Sequence, residues 1–133
     1  MAALRAAGAA NLDGKIVVDV ANVLSPENTG SESLGEQLQK AFPRAMVVKT
    51  LNTVNCEVMV NPSQLPDSHT LFISGNDGAA KVKVRELLQA FGWTDMLDLG
   101  DIGTARATEA YLPLWSSLWR RLGTLTFNIK VVR

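Results

Sequence analysis

The stretch from Ala45 to Val54 constrains the fold of this chain more strongly than any other. Its residues Met46, Val47 and Val48 form an apolar run of strand length, and β-branched residues suit a covered, pleated surface. Uncharged polar residues follow at the end of this run: Thr50, Asn52, Thr53 and Asn55. Ligands of open α/β sheets bind in the crevice outside the carboxyl ends of the strands. The stretch therefore predicts a buried strand that ends at a ligand crevice.

A second stretch, from Ile16 to Val20, repeats this design. It is apolar on both alternating faces, as expected for a strand of a parallel sheet that helices cover on each side. The polar exit Ala21-Asn22-Val23 follows it directly. Asn22 and Asn52 thus stand at the ends of two predicted strands, which indicates one shared crevice. Each amide could hydrogen-bond a ligand, and each could equally close a turn.

The remaining segments predict an α/β fold with a single domain spanning residues 1–133. Further apolar strands are expected at 70–74 and 96–99, and a last strand with alternating residues at 126–132. Helices are expected at 34–42, 56–60, 79–91 and from 102 or 104 to 122. Residues 24–31 are expected to form a loop of the kind that contacts a ligand. Together these elements predict a mostly parallel sheet of about five strands with helices on both faces.

Composition excludes several classes of protein. Hydrophobic residues make up 47% of the 133, enough for the core of one domain. Thirteen basic residues balance thirteen acidic ones, so no net field favours nucleic acid or an anionic membrane as a partner. Cys56 is the only cysteine, which rules out an intramolecular disulfide and favours a reducing cytoplasm. No apolar run approaches the roughly 18 residues that cross a bilayer.

Three ionisable side chains are candidates for chemistry, and each has a structural alternative. Asp19 ends an apolar strand, where it is either an acid or base or, more commonly, a hydrogen-bond acceptor. His69 has no partner that spacing would single out, which favours a surface position. Cys56 begins a short helix that could acidify its thiol, although a buried, inert cysteine is the commoner case. One histidine and one cysteine cannot build a structural zinc site, so no metal ligand is predicted. Because the structural alternative is favoured for all three side chains, no catalytic residue is predicted either.

Several blocks of the sequence occur in an order that resembles a known family. They are GKIVVDVAN at 14–22, SLGEQL at 33–38, VVKTLNTV at 47–54 and LFISGND at 71–77. This arrangement resembles the NADPH-dependent deazaflavin coenzyme oxidoreductases. The cytosolic reductase domains of the six-transmembrane metalloreductases are also similar, notably at Ala105-Arg106, Glu109, Leu112-Pro113-Leu114 and Leu118-Trp119-Arg120. The resemblance covers nearly the whole chain.

The resemblance implies a cofactor of the NADP, flavin or deazaflavin type. The family's nicotinamide-facing loops correspond to Asn22, Val23, Asn52, Thr53 and Val54, although relatives commonly carry Asn-Pro where this chain has Asn22-Val23. Family members begin with a strand, a glycine-rich turn and a helix that bind the dinucleotide pyrophosphate. This sequence has no G-x-G-x-x-G after an early strand. The chain therefore resembles the second part of such a domain, a truncated Rossmann-like unit without a pyrophosphate site of its own.

In the family, the strand that corresponds to Ile16–Val20 is flanked by a strand that this sequence lacks. This difference leads to expectations about partners and function. The outer edge of the Ile16–Val20 strand would expose unpaired N–H and C=O groups beside apolar side chains, which favours association. We expect a homodimer, formed through this edge or through the aromatic helix stripe of Tyr111, Trp115 and Trp119, whose alternative role is core packing. The favoured function is a non-catalytic, dimeric binding or interaction protein. The alternative is an NADP(H)- or flavin-dependent oxidoreductase completed by dimerisation or by a partner chain that supplies the glycine-rich half.

Overall fold

The structure is a computed structural model that describes residues 2–23 and 32–133. The loop expected at 24–31 lies outside the described residues. The strands are β1 (Ile16–Asp19), β2 (Met46–Thr50), β3 (Thr70–Gly75) and β4 (Asp95–Gly100). The helices are α1 (Ala2–Ala7), α2 (Ala9–Leu12), α3 (Leu34–Ala41), α4 (Cys56–Val60), α5 (Gly78–Ala90), α6 (Ala105–Glu109) and α7 (Leu112–Leu122), with 3-10 turns at Pro62–Gln64 and Ile102–Thr104.

The described strands form one sheet in the order β1-β2-β3-β4. β1 runs parallel to β2 and β3 runs parallel to β4, whereas β2 and β3 are antiparallel. The α/β, mostly parallel, Rossmann-like fold predicted from the sequence is thus confirmed. One consequence concerns the ligand crevice. The carboxyl ends of β1 and β2 lie at one end of the sheet, and those of β3 and β4 lie at the opposite end.

The last strand predicted at 126–132 is wrong, because this segment forms no strand and the described sheet has four strands. Only one backbone hydrogen bond ties this segment to the sheet, from Thr70 N to Ile129 O at 3.0 Å. Its other bonds involve side chains: Asn128 Nδ2 donates to Thr70 O, and Val131 N donates to Thr70 Oγ1. The alternating pattern instead reflects packing, since Phe127 is buried and stacks on Trp115 with ring centroids 5.4 Å apart.

The single helix expected from 102 or 104 to 122 is also wrong, because it is divided into a 3-10 turn, α6 and α7. Pro113 lies in the first turn of α7. Proline has no N–H to donate to the carbonyl of the preceding turn, so it suits a helix start and interrupts a continuous helix. None of the described helices combines the length and the apolarity needed to span a bilayer.

Apolar side chains cover both faces of the sheet, as predicted. Val48 packs in a core cluster with Leu71, Ile73 and residues of α4 and α5. Its neighbour Val47 packs on the other face, in a cluster with residues of α3 and α6. Successive residues of a strand point to opposite faces, so one strand serves both clusters. β2 is therefore buried throughout most of its length.

The first turn of α3 is held by a reciprocal cap and by α6. Ser33 Oγ accepts from Glu36 N at 3.1 Å, and Glu36 Oε2 accepts from Ser33 N at 2.8 Å. Arg106 of α6 donates to both carboxylate oxygens of Glu36, through Nε at 2.6 Å and through its terminal nitrogen at 2.5 Å. These bonds, chiefly those from Arg106, lower the pKa of Glu36 from 4.5 to about 2. The charge of Glu36 therefore fastens α3 to α6.

Glu36→Gln should lower stability at neutral pH and remove part of the sensitivity to acid. Glutamine can keep the reciprocal cap, so the loss reports the charge facing Arg106, and we expect about 1 kcal/mol at pH 7. The pKa of Glu36 is depressed in the folded state. Its contribution is therefore fully present above pH 4.5 and is lost as pH falls through about 2. Urea unfolding across this pH range measures the effect.

Glu32→Gln is the matched control for this substitution. The pair of Glu32 with Lys40 has side chains that are 41% and 76% exposed, so its loss should change stability by less than about 0.5 kcal/mol. A difference between wild type and Glu36→Gln that stays constant from pH 7 to pH 2 would contradict the assignment.

Candidate functional site

The amide side chains of Asn22 and Asn52 meet where β1 and β2 end. Asn22 Nδ2 donates to the backbone oxygen of Asn52 at 2.6 Å, and Asn52 Nδ2 donates to Asn22 Oδ1 at 2.9 Å. Asn22 is half-buried and Asn52 is buried. The parallel pairing of β1 with β2 brings the residues that follow both strands, the strand exits, to the same end of the sheet. The structure thus brings the two asparagines together, and ligand binding by them stays a prediction.

The chain turns sharply after β2. Leu51 has a φ angle of +64°, a left-handed conformation that costs a residue with a side chain about 1–2 kcal/mol. The core contacts of its buried side chain offset part of this cost. The turn leaves Thr53 and Val54 buried, whereas Val23 on the β1 side is half-buried. Strained backbone of this kind clusters at functional sites.

The hydroxyl group of Thr53 is an exception to the usual pairing of buried polar atoms. Thr53 is 2% exposed, and its Oγ1 has no hydrogen-bond partner among the described residues. A buried polar atom without a partner costs about 1–3 kcal/mol. This hydroxyl group, on the residue that follows Asn52, is therefore available for a hydrogen bond to a ligand.

A buried ion cluster, of which only Asp19 was a candidate from the sequence, adjoins the two strand exits. Lys49 Nζ lies 3.0 Å from Asp19 Oδ2, 2.7 Å from Glu109 Oε1 and 2.5 Å from the backbone oxygen of Ala21. The lysine and both carboxylates are buried, with side chains 1%, 8% and 7% exposed. A lysine inside an apolar strand was the available signal, and the register sets it opposite Asp19. Glu109 is distant in sequence, so only the fold could reveal it.

The three ionisable candidates from the sequence have different outcomes. Asp19 has the structural role, because it pairs with Lys49 and accepts from Ala21 N at 3.0 Å. The expected surface position of His69 is wrong: the residue is half-buried, contacts Pro62 O and Asn128, and lies edge-on to a tryptophan ring. The expectation of a buried Cys56 is also wrong, since this residue is exposed. Within residues 2–23 and 32–133, no three metal-ligating side chains cluster.

Comparison with known proteins shows a strong similarity to a solved structure. No protein-family model matches the sequence. The chain is similar to a solved structure from Arthrobacter sp. FB24 to which the activity of an F420-dependent NADP reductase is attributed, with a TM-score of 0.93 and 51% sequence identity. The match covers 99% of this chain. This similarity supports the resemblance to deazaflavin-dependent NADP reductases that the sequence indicates.

The reductase-like chain is shorter than the proteins it matches. It covers 64% of the Arthrobacter protein. A hypothetical protein from Sinorhizobium meliloti matches with 31% identity and a TM-score of 0.56, over 69% of this chain and 48% of its own. The similarities therefore support an oxidoreductase-like module that spans about two thirds of the reductase it resembles.

The amide pair of this reductase-like module should couple Asn22 and Asn52 energetically. In a double-mutant cycle of Asn22→Ala and Asn52→Ala, we expect a coupling free energy of about 0.5–1.5 kcal/mol, because each single variant removes the bond from Asn52 Nδ2 to Asn22 Oδ1. Urea unfolding of the four proteins measures it. The exposed bond from Ser63 Oγ to Asn61 Oδ1 is the control, and the cycle of these two residues should give a coupling near zero. Equal coupling in both cycles would contradict the prediction.

Proposed function

We propose that this chain is an oxidoreductase module that binds the ring end of an NADP, flavin or deazaflavin cofactor between the exits of β1 and β2. The observation that carries the proposal is the amide pair of Asn22 and Asn52, which joins two strand exits where open α/β sheets bind ligands. The 51% identity with the Arthrobacter protein supports the same class of function. The cofactor supplies the redox chemistry, and the side chains of the module position its ring.

The groups at this crevice suit the edge of a planar, polar ring. A carboxamide has two N–H donors and an oxygen with two lone pairs, so Asn22 can keep its bonds to Asn52 and still bind a ligand. The free hydroxyl of Thr53 would gain a partner from a ligand that reaches it. Val23 is half-buried beside Asn22 and offers an apolar contact to the face of a ring. Positioning of this type needs no acid or base from the protein.

We further propose that polypeptide alongside β1 supplies the contacts to the pyrophosphate. Met46 N donates to the carbonyl of Lys15, so the backbone groups of the alternate residues Ile16 and Val18 point away from β2. No other described strand pairs with β1. Val18 and Val20 are 37% and 42% exposed. An added parallel strand would satisfy this edge, and the turn after it would lie at the same end of the sheet as Asn22.

The second candidate function is a non-catalytic, dimeric binding or interaction protein, the one favoured from the sequence. Its support is the same open β1 edge together with the aromatic stripe on and beside α7. Trp115 stacks on Phe127 within the chain, whereas Trp119 is 44% exposed. The stripe is therefore divided between internal packing and a surface that a second copy could cover.

A ligand panel separates the two candidates. Isothermal calorimetry and thermal shift with NADPH, NADP, FMN and F420 should give saturable binding of at least one ring cofactor to the wild-type chain. Without a pyrophosphate cradle of its own, the chain should bind the dinucleotides far more weakly than a complete reductase does. Absence of saturable binding with all four compounds would favour the non-catalytic alternative.

Thr53→Val makes the same test specific to the crevice. Removal of the unpaired hydroxyl should stabilise the free protein by about 1 kcal/mol. It should also lower the affinity for the cofactor about tenfold, so the effects on stability and on binding have opposite signs. Thr108→Val is the matched control. Its hydroxyl is also buried but donates to Ala105 O at 3.0 Å, so this variant should lose stability and keep its affinity. Unchanged affinity in Thr53→Val would remove Thr53 from the site.

The edge hypothesis predicts that Val18→Lys blocks association. A lysine on an edge strand opposes pairing with another chain, so the dimer expected at micromolar concentration should become a monomer. Size-exclusion chromatography with light scattering measures the mass. Val82→Lys places the same charge on an exposed residue of α5 and should leave the mass unchanged. A wild-type monomer would contradict the dimer, and a dimer lost only in Trp119→Ala would place the interface on α7.

A further inference from the structure

The ammonium group of Lys49 is fully occupied by protein groups. It has three N–H donors, and the three acceptors within hydrogen-bond distance are Asp19 Oδ2, Glu109 Oε1 and the backbone oxygen of Ala21. The side chain is 1% exposed. No N–H remains for a ligand. Lys49 can therefore affect the crevice only through the groups it holds.

The partners of Lys49 reach both flanks of the segment from 22 to 33. Before this segment, Ala21 presents its carbonyl to Lys49 and its N–H to Asp19. After it, the N–H groups of Leu34 and Gly35 donate to Glu109 at 2.9 and 3.3 Å. These N–H groups form the start of α3, where a carboxylate is favourable. Lys49 is thus connected to Ala21, which precedes Asn22, and through Glu109 to the first turn of α3.

Stability alone is a weak account of this cluster. Replacement of a buried ion cluster by apolar residues of similar size is often neutral or stabilising, because each buried charge carries a desolvation cost. An apolar side chain, however, cannot donate to the carbonyl of Ala21. That carbonyl directly precedes Asn22, whose amide orientation defines the pair with Asn52.

We propose that Lys49 is a positioning residue for the crevice, which orients Asn22 against Asn52 by holding the carbonyl of Ala21. Its effect on cofactor binding rests on the function proposed above. Its effect on the amide pair does not, because the pair exists without a ligand. Asp19 and Glu109 both pair with the lysine, so that its charge can lie inside the sheet.

Two variants of the full chain test this role. Lys49→Met leaves two buried carboxylates without their cation and should lower the Tm by about 10 °C or more. The triple variant Lys49→Met, Asp19→Asn, Glu109→Gln removes these charges and should recover much of that loss, yet it still lacks the donor to Ala21. Phe42→Ala is the matched control, because it opens a cavity in the core and removes none of the contacts of Lys49.

The side-chain amide resonances of Asn22 and Asn52 provide a readout that needs no ligand. In ¹H–¹⁵N spectra, Phe42→Ala should keep the wild-type positions of both amide pairs. Lys49→Met and the triple variant should shift them towards the positions of free carboxamides. With NADPH as the probe, calorimetry should give about tenfold weaker binding in the triple variant than in wild type or Phe42→Ala.

The outcome of each comparison is distinct. Recovery of the Tm in the triple variant with displaced amide resonances supports the positioning role. Return of the amide resonances together with the Tm overturns it, because Lys49 would then contribute only stability. If NADPH does not bind the wild type, the proposed function fails, and the amide comparison still decides the role of Lys49. If the triple variant does not fold, Lys49→Met compared with Phe42→Ala under native conditions gives the same decision.

Discussion

The burial of β2 is the constraint on which the other parts of the structure depend. This strand pairs with β1 on one edge and with β3 on the other, and core clusters cover both of its faces. Lys49 is its one charged residue, so the partners of this lysine must also be inside the protein. Asp19 meets it from β1 and Glu109 meets it from α6. Through these two carboxylates, one buried cation therefore links the exit of β1 to the start of α3.

Because β2 and β3 are antiparallel, the polar residues that follow the strands are divided between the two ends of the sheet. The exits of β1 and β2 form the crevice that contains Asn22 and Asn52. The exits of β3 and β4 lie at the opposite end of the sheet, where polar residues have structural roles. Asp77 caps α5 by accepting from Ala80 N, and Asn76 accepts from Ile102 N. The candidate site is thus built from two strands rather than from the whole row of strand ends.

The same arrangement explains why the proposed function involves another polypeptide. Both faces of the sheet are covered within the described residues, whereas the outer edge of β1 pairs with no described strand. The Arthrobacter protein of closely similar fold is longer than this chain. Unpaired strand edges favour association with additional backbone. In the proposed module, the crevice positions the cofactor ring and the added polypeptide holds the phosphates.

Local sequence patterns determined most of the elements of this protein, and long-range contacts decided how they combine. The apolar runs of β1 and β2 and the polar residues after them predicted both strands and the meeting of Asn22 with Asn52, because parallel strands bring their ends together. The pattern at 126–132 was misleading, since alternation reports which side chains are covered and not whether a neighbouring backbone is paired. The partners of Lys49 and the half-buried position of His69 depend on residues far apart in the chain. Periodicity reports only neighbours along the chain, so these contacts were decided by tertiary structure alone.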